Sequence, residues 1–302
     1  MKTLTKLLSL GLGAAVCLLF ASGRADADYI YVTSYANGSI ERFDSNGNGS
    51  VFASGLDYPT GLAFDSSGNL YVANSNNNTI RKFSPTGVDL GVFASAGLND
   101  PWGLAFDSSD NLYAASVLND TIMKFTPAGG PSSFAGGGVL SYPLGLAFDS
   151  SGNLYAGNSG NHTIAKFTPA GAPSLFAIAG VENPCGLAFD NSGNLYEAKN
   201  NNTIRKFSST GADLGIFASS GLNYPMGLAF DSSGNLYAAN SGDNTIRKFS
   251  SNGTDLGVFA DSPWLDGPYF IAVQVPEPAT STLLMLGVVA LLGSRRLHRR
   301  SF

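Results

Sequence analysis

Polar side chains recur at one position of a repeating pattern, where they could hold a small ligand or a metal ion. The pattern is a tyrosine followed three residues later by a polar residue, at intervals of 40 to 42 residues. The polar residues are Ser34, Asn74, Ser116, Asn158, Lys199 and Asn240. Hard divalent cations prefer several anionic oxygens, so three neutral amides with a lysine among them predict no metal centre.

A second repeating position carries residues that differ from copy to copy within an otherwise constant pattern. It follows a proline and holds Thr60, Trp102, Leu144, Cys185, Met226 and Tyr269. Residues that a framework does not dictate are free to contact ligands, so we expect these side chains to belong to a binding site. The alternative is neutral drift, with Leu144 and Met226 simply filling an interior space.

Residue types that commonly carry catalysis are scarce. The chain has two histidines, His162 and His298, and two cysteines, Cys17 and Cys185. Two histidines cannot build a multi-histidine zinc centre, and two cysteines cannot build a disulfide framework. We therefore predict no catalytic residue and no cofactor, and we interpret His162 as a replacement for the asparagine of other copies.

The repeat also defines the elements that position these residues. Gly-Leu-Ala-Phe-Asp begins at Gly61, Gly103, Gly145, Gly186 and Gly227. Each copy continues with Asn-Leu-Tyr, a polar Asn-rich patch, Thr-Ile-x-Lys-Phe and a short apolar segment, which together predict four short strands. Asp-Ser-Ser-Gly-Asn between the first two strands is typical of a tight turn, because aspartate accepts nearby backbone N–H groups and glycine tolerates positive φ.

The number of repeats predicts how the strands close. Residues 28–43 align with residues 68–83, so the chain after residue 27 starts at a second strand. The missing first strand is supplied by residues 268–273, which match residues 225–230. The sequence predicts an all-β fold, a six-bladed β-propeller of four-stranded blades, closed by pairing the C-terminal strand with the N-terminal strands. A seven-bladed ring would require one further whole unit.

The connections of such a blade predict where a site would lie. Alternate links of an antiparallel meander emerge at the same end of its strands. The links between blades and the links between second and third strands therefore open on one face. Both repeating positions described above belong to that face, which we predict to bind a ligand near the axis.

The first 27 residues have the features of a secretory signal peptide. Lys2 and Lys6 precede an apolar run over residues 7–20, and Ala25-Asp26-Ala27 is typical of a cleavage site. We predict cleavage by signal peptidase before Asp28. A lipoprotein signal at Cys17 would require a small residue before it, where this chain has a valine.

Residues 275–302 form a second targeting segment. A proline-rich start, a short apolar helix over residues 283–292 and an arginine cluster follow one another. The residues that carry this signal are Pro276, Glu277, Pro278, Arg295, Arg296, Arg299 and Arg300. The apolar part is shorter than the roughly 20 residues of a stable membrane span, so we predict transient membrane association. A plain C-terminal anchor is the alternative.

Charge and composition narrow the range of partners. Residues 28–276 carry 10 Lys and Arg against 20 Asp and Glu, a net charge of −10. An acidic domain of this kind lacks the electrostatic footprint of a nucleic-acid-binding protein. Hydrophobic residues make up 44% of the chain and charged residues 13%, which is typical of a globular protein rather than a disordered one.

The repeat resembles the NHL repeat of β-propellers in its Pro-x-Gly-Leu-Ala-Phe-Asp, Gly-Asn-Leu-Tyr-Val-Ala-Asn and Ile-x-Lys-Phe segments, over residues 28–274. Related propellers of the gluconolactonase and regucalcin type are metal-dependent hydrolases, which hold the cation with a Glu, two Asn and an Asp around the axis. Asn74, Asn158 and Asn240 match the amides of that set, but no carboxylate accompanies them. A lactonase-like hydrolase is therefore the alternative function.

The tail resembles the PEP-CTERM sorting signal of Gram-negative bacteria. That resemblance implies export, transient inner-membrane anchoring and cleavage near Pro276 to Pro278 by an exosortase. The sequence as a whole predicts an exported, non-catalytic propeller at the cell surface or in an extracellular matrix. It would act as a binding or structural module for an unknown protein or glycan ligand.

Overall fold

The computed structural model describes residues 28–178 and 180–274. These residues form 24 strands in six four-stranded antiparallel sheets, together with one 3₁₀ turn at Val117–Asn119. None of the helical structure in these two ranges is long and apolar enough to cross a membrane. The predicted signal peptide at residues 1–27 and the predicted sorting signal at residues 275–302 lie outside the described residues.

The sheets are the blades of a propeller, numbered in their order around the ring. Blade 1 contains β24 (Pro268–Gln274), β1 (Tyr29–Ser34), β2 (Ser39–Phe43) and β3 (Gly49–Ser54). Blade 2 contains β4 (Pro59–Phe64), β5 (Leu70–Asn74), β6 (Thr79–Phe83) and β7 (Asp89–Ala94). Blade 3 contains β8 (Pro101–Phe106), β9 (Leu112–Ser116), β10 (Thr121–Phe125) and β11 (Pro131–Gly136).

The other three blades repeat this order of strands. Blade 4 contains β12 (Pro143–Phe148), β13 (Leu154–Asn158), β14 (Thr163–Phe167) and β15 (Pro173–Ala177). Blade 5 contains β16 (Pro184–Phe189), β17 (Leu195–Lys199), β18 (Thr203–Phe207) and β19 (Asp213–Ala218). Blade 6 contains β20 (Pro225–Phe230), β21 (Leu236–Asn240), β22 (Thr245–Phe249) and β23 (Asp255–Ala260). The predicted six-bladed fold is confirmed.

The first strand of each blade lies innermost, where it contacts the first strand of the next blade. The glycine of Gly-Leu-Ala-Phe-Asp makes this approach possible. A Cβ added at Gly103 would overlap the carbonyl oxygen of Leu144, and a Cβ at Gly145 would overlap that of Cys185. The repeated glycine is thus a requirement of close packing around the axis.

The core lies between blades and is built on one tyrosine per second strand. The Tyr71 ring packs edge-on against Phe93 of its own blade and Phe106 of the next, with centroid distances of 4.8 and 4.9 Å. Its hydroxyl donates to Asp65 at 3.2 Å, and Asp65 also accepts the backbone N–H of Asn69 at 2.8 Å. The repeated turn aspartate therefore joins the turn to the core tyrosine, which is a structural role.

The ring closes between its two chain ends. β24 pairs antiparallel with β1, and Tyr29 lies opposite Gln274. The Tyr31 hydroxyl donates to Gln274 at 3.0 Å, and the Asp28 carboxylate accepts the backbone N–H of Ser232 at 2.8 Å. The predicted closure by the C-terminal strand is confirmed.

Candidate functional site: the loop face

One face of the ring carries the links between blades and the turns between second and third strands, and we call it the loop face. The two kinds of connection touch each other there. Ser159 donates its backbone N–H to the Tyr142 carbonyl, and Ser241 donates to the Tyr224 carbonyl, each at 3.1 Å. The opposite face, called the turn face, carries the Asp-Ser-Ser-Gly-Asn turns together with Asp28 and Gln274, where the described residues begin and end. The two faces therefore differ in what their connections present.

Residues that follow the prolines converge at the axis, as the sequence predicts for a shared location. Leu144, Cys185 and Met226 form a buried cluster with Val117, and the half-buried rings of Trp102 and Tyr269 pack against it. Burial, followed by the negative charge of Glu197, raises the pKa of the Cys185 thiol to about 12. The Cys185 thiol is consequently protonated at neutral pH and is a poor nucleophile.

Thr60, the sixth residue of that position, is fully buried and has a different role. Its hydroxyl donates to the Pro101 carbonyl at 2.8 Å. It therefore joins the first strand of blade 2 to that of blade 3 and presents nothing to solvent.

A row of aromatic rings leads outward from the axial cluster, and we call Trp102, Tyr269, Tyr35 and Tyr58 the aromatic row. Trp102 and Tyr269 are 5.5 Å apart, and Tyr269 stacks on Tyr35 at 4.4 Å with an interplanar angle of 13°. Tyr58 follows at 4.8 Å from Tyr35 and is 46% exposed. One stacked pair and two tilted pairs at these distances form a continuous aromatic surface that reaches solvent.

The residues just before the prolines adopt a left-handed backbone. φ is 52° at Tyr58, 47° at Tyr142 and 53° at Tyr224, a conformation that is unfavourable for bulky side chains. The N–H of Tyr142 donates to the Asp120 side chain at 2.6 Å, and that of Tyr224 donates to Asn202 at 2.7 Å. Neighbouring blades thus hold this backbone in place, and the rings of Tyr142 and Tyr224 are half exposed on the loop face.

His162 belongs to the same series of contacts. Its Nδ1 accepts the backbone N–H of Asn183 at 3.1 Å, as the Asn202 side chain does for Tyr224. His162 therefore replaces an asparagine that links two blades, and its ring nitrogen is engaged in that link.

The polar residues that end the second strands were expected to form an open ring around the axis. In the structure their side chains are buried instead. All six are buried, and five of them hold the links between blades. Asn158 donates to the Val139 carbonyl at 2.9 Å, Asn240 donates to Gly221 at 2.8 Å, and Ser34 donates to Trp264 at 3.0 Å. Ser116 accepts the N–H of Asn99 at 2.8 Å. Asn74 donates to Thr79 within its own blade at 3.3 Å.

Lys199 also points into a link rather than toward a ligand. Its ammonium donates to the Gly180 carbonyl at 3.0 Å and lies 3.5 Å from Glu182. These contacts follow from the covering loops, whose carbonyl oxygens need donors where the second strands end. Five of the six second-strand residues therefore contact the links between blades, whereas five of the six residues after the prolines meet at the axis.

Sequence analysis missed two buried carboxyl groups, Glu41 and Glu197. Glu197 lies two residues before Lys199, is fully buried, and has no hydrogen-bond partner on either carboxylate oxygen. Burial raises its pKa to about 8, although the positive charge of Lys199 opposes this shift. The signal was present in the sequence, because blades 3, 4 and 6 have Ala114, Ala156 and Ala238 at the equivalent position.

Metal-ligating side chains do not cluster in the part of the chain that the structure describes. Within residues 28–178 and 180–274, no three His, Cys, Asp or Glu side chains come together in a way that could hold a metal ion. The Cys185 thiol and the Glu197 carboxyl group are buried, and His162 links two blades.

Comparisons with known proteins agree with this architecture. The NHL repeat model matches residues 56–83 and 140–167, and the PEP-CTERM protein-sorting motif matches residues 274–300. A search of curated proteins finds no match to this chain.

Solved structures share the fold at low sequence identity. A chain from the crystal structure of a nidogen/laminin complex is 19% identical and has a TM-score of 0.75, and the match covers 83% of this chain and 100% of that one. A streptogramin B lyase structure is 18% identical, has a TM-score of 0.64, and covers 80% of this chain and 82% of its own. Virginiamycin B lyase from Staphylococcus aureus is 16% identical, has a TM-score of 0.59, and covers 70% of this chain and 73% of its own. With its repeats, its blades and its tail taken together, the chain is a six-bladed β-propeller that contains NHL repeats and carries a C-terminal PEP-CTERM sorting motif.

Proposed function

We propose that this protein is an exported, non-catalytic propeller that binds a macromolecular partner through its loop face. The observation that carries the proposal is the aromatic row, which rises from the buried axial cluster and ends at the half-exposed ring of Tyr58. Exposed aromatic side chains on a rigid scaffold are enriched in binding surfaces. The chain of similar fold from the nidogen/laminin complex was solved as part of a protein–protein complex, which supports a binding role for this one.

The positions of the polar side chains argue against the hydrolase alternative. The amide groups of Asn158 and Asn240 are directed at carbonyl oxygens of the links between blades. Glu197, the nearby carboxyl group, is buried between Lys199 and Arg205, whose positive charges both lower its pKa. Two adjacent cations disfavour a metal ion at that carboxylate. The lyase structures that share the fold are enzymes by their titles, and their low identity transfers the fold alone.

The test is a binding screen with residues 28–274, which close into a ring with their own core. The purified ring is applied to protein and glycan arrays, in parallel with a Tyr58→Asn, Tyr142→Asn, Tyr224→Asn triple variant. Asparagine already stands at this position as Asn183 and tolerates a left-handed backbone, so the triple variant keeps the fold. Ile216→Thr, on the exposed outer strand of blade 5, is the matched control.

We expect a ligand that the ring and the control bind and the triple variant loses. Binding that survives in the triple variant would contradict the proposal, as would turnover of sugar lactones by the ring. Streptogramin cleavage, assayed because of the lyase neighbours, would contradict it as well.

Export and processing form the second part of the proposal. We infer a signal peptide at residues 1–27, cut by signal peptidase, and exosortase processing near Pro276 to Pro278, with transient anchoring in the inner membrane of a Gram-negative bacterium. The sorting motif over residues 274–300 supports this inference. In a host with an exosortase, a Pro276→Ala, Glu277→Ala variant is expected to stay membrane-bound, while the parent is released. A released protein whose intact mass still includes Phe302 would contradict processing.

A further inference from the structure

Almost all Lys and Arg side chains of the ring form ion pairs with carboxylates. Nine of the ten Lys and Arg side chains of residues 28–274 lie within 4.0 Å of a carboxylate. Five lysines pair with the turn aspartates of the turn face, three arginines pair with aspartates of the outermost strands, and Lys199 pairs with Glu182. The tenth, Arg42, lies over the Tyr29 ring at 5.1 Å. The net charge of the ring therefore comes from carboxylates that have no cationic partner.

Most of these carboxylates lie on the loop face. The six there, in the described residues, are Asp57, Asp100, Asp120, Asp243, Asp261 and Asp266. The turn face has Asp28, Asp44 and Asp110, partly balanced by Arg42. Glu41 and Glu197 are buried within the blades. Because unpaired acids outnumber free cations most strongly on the loop face, that face carries the larger share of the negative potential.

Three of these acids flank the aromatic row. The Asp100 carboxylate accepts the Trp102 indole N–H at 3.1 Å, Asp57 immediately precedes Tyr58, and the backbone carbonyl of Asp266 accepts the N–H of Ala36, next to Tyr35. Burial raises the pKa of the Tyr35 hydroxyl, and the negative charge of Asp100 adds to this effect. Acidic residues therefore border the aromatic row.

This combination has a defined chemical complement. A guanidinium or ammonium group gains from the face of an aromatic ring and from a carboxylate beside it. An anionic polysaccharide would be repelled. A neutral glycan could stack on the rings but would gain nothing from the charge. We propose that the partner docks a Lys- or Arg-rich polypeptide segment on the aromatic row, an inference that rests on the proposed function.

The experiment titrates the purified ring, residues 28–274, by calorimetry with three probes. They are a six-residue arginine peptide with blocked ends, a glutamate peptide of the same length, and cellohexaose. We expect the arginine peptide alone to bind. Its affinity is expected to fall about tenfold between about 50 mM and about 500 mM NaCl, because exposed charge pairs are screened.

Two matched double variants separate site binding from net charge. Asp57→Asn with Asp266→Asn removes two charges beside the aromatic row and is expected to weaken the arginine peptide about tenfold. Asp28→Gly with Asp110→Gly removes two charges from the turn face, where other repeats have Gly68, Gly152, Gly193 and Gly234, and is expected to change affinity less than twofold. The melting temperature of each variant verifies that it is folded.

Equal losses in both double variants would overturn the inference, since binding would then depend on net charge alone. Absence of arginine-peptide binding would overturn it as well. Binding of cellohexaose that requires Tyr58 and ignores salt would overturn the basic partner while leaving a binding loop face intact. If the array screen also shows no ligand dependent on the tyrosines, the proposed function itself fails.

Discussion

The turn face and the loop face are built from the same repeat, yet they use its residues in opposite ways. On the turn face, Asp149 is bound by Asn153, Tyr155 and Lys166, and its counterparts in the other repeats are bound alike. On the loop face, the residue that precedes the first proline of each blade is a tyrosine, aspartate, asparagine or glycine, depending on the blade. The repeated residues of the turn face stabilise the fold, whereas the residues of the loop face can vary without disturbing it.

Removing the strand that closes the ring is expected to disrupt both faces, because both depend on closure. Deleting Phe270 to Val273 leaves blade 1 with three strands and exposes the edge of β1. An open edge adjacent to a hydrophobic interface is prone to pair with other chains. We expect aggregation or a loss of the cooperative transition, measured by thermal unfolding and light scattering. An unchanged melting curve would contradict closure.

Tyr155 of blade 4 stands for the tyrosines that stabilise the blade interfaces. Tyr155 is buried at a blade interface, with Phe176 and Phe189 at 4.8 and 4.9 Å. Tyr155→Ala is expected to lower the free energy of unfolding by about 3–5 kcal/mol, through lost burial and the resulting cavity. Denaturant unfolding measures the change. A cost below about 1 kcal/mol would show that the interface repacks.

Glu197 is a buried carboxyl group where other blades have an apolar residue, and it makes the stability of the ring depend on pH. Its pKa is raised to about 8 in the folded ring, against an ordinary value of 4.5. Between these values the unfolded chain releases a proton that the folded chain retains, so stability falls as pH rises from about 4.5 to about 8 and is level above that.

Glu197→Ala supplies the residue that three other blades have at this position. We expect it to raise the free energy of unfolding at pH 8 by about 2–4 kcal/mol and to have little effect at pH 4. Denaturant unfolding at both values of pH tests this. A variant that retains the parent's loss of stability between pH 4.5 and pH 8 would show that another group causes it.

The smallest effect is expected at the exposed tyrosine of the loop face. Tyr142→Asn removes a half-exposed ring from a left-handed backbone, so its free energy of unfolding is expected to change by less than about 0.5 kcal/mol. The same variant is expected to weaken the binding of a loop-face ligand. A large loss of stability would mean that Tyr142 belongs to the framework, and the distinction between the two faces would fail there.

The fold could be predicted from sequence because each signal was repeated. Five copies of Gly-Leu-Ala-Phe-Asp, with the shared unit at the chain ends, specify the strands, their order and the closure. The convergence of Leu144, Cys185 and Met226 also followed, since one sequence position maps to one place in each blade.

Side-chain direction at the ends of strands did not follow from the sequence. Asn158 and Lys199 were expected beside a ligand, but their side chains donate hydrogen bonds to carbonyl oxygens of the links between blades. Trp102 and Tyr269 of the aromatic row are among the predicted residues, but Tyr35 and Tyr58 were missed because they come from different connections and meet only in space. Glu197 departs visibly from the alanine of other blades, but the sequence alone does not show that both faces of its strand are buried.

The pairing of Tyr29 with Gln274 places the entry and exit of the ring side by side on the turn face. A ring whose two ends adjoin can close while both ends are still held, without passing either end through a loop. A pull on both ends would separate β24 from β1 one hydrogen bond at a time, starting at the pair of Tyr29 and Gln274. The loop face lies at the opposite end of these two strands.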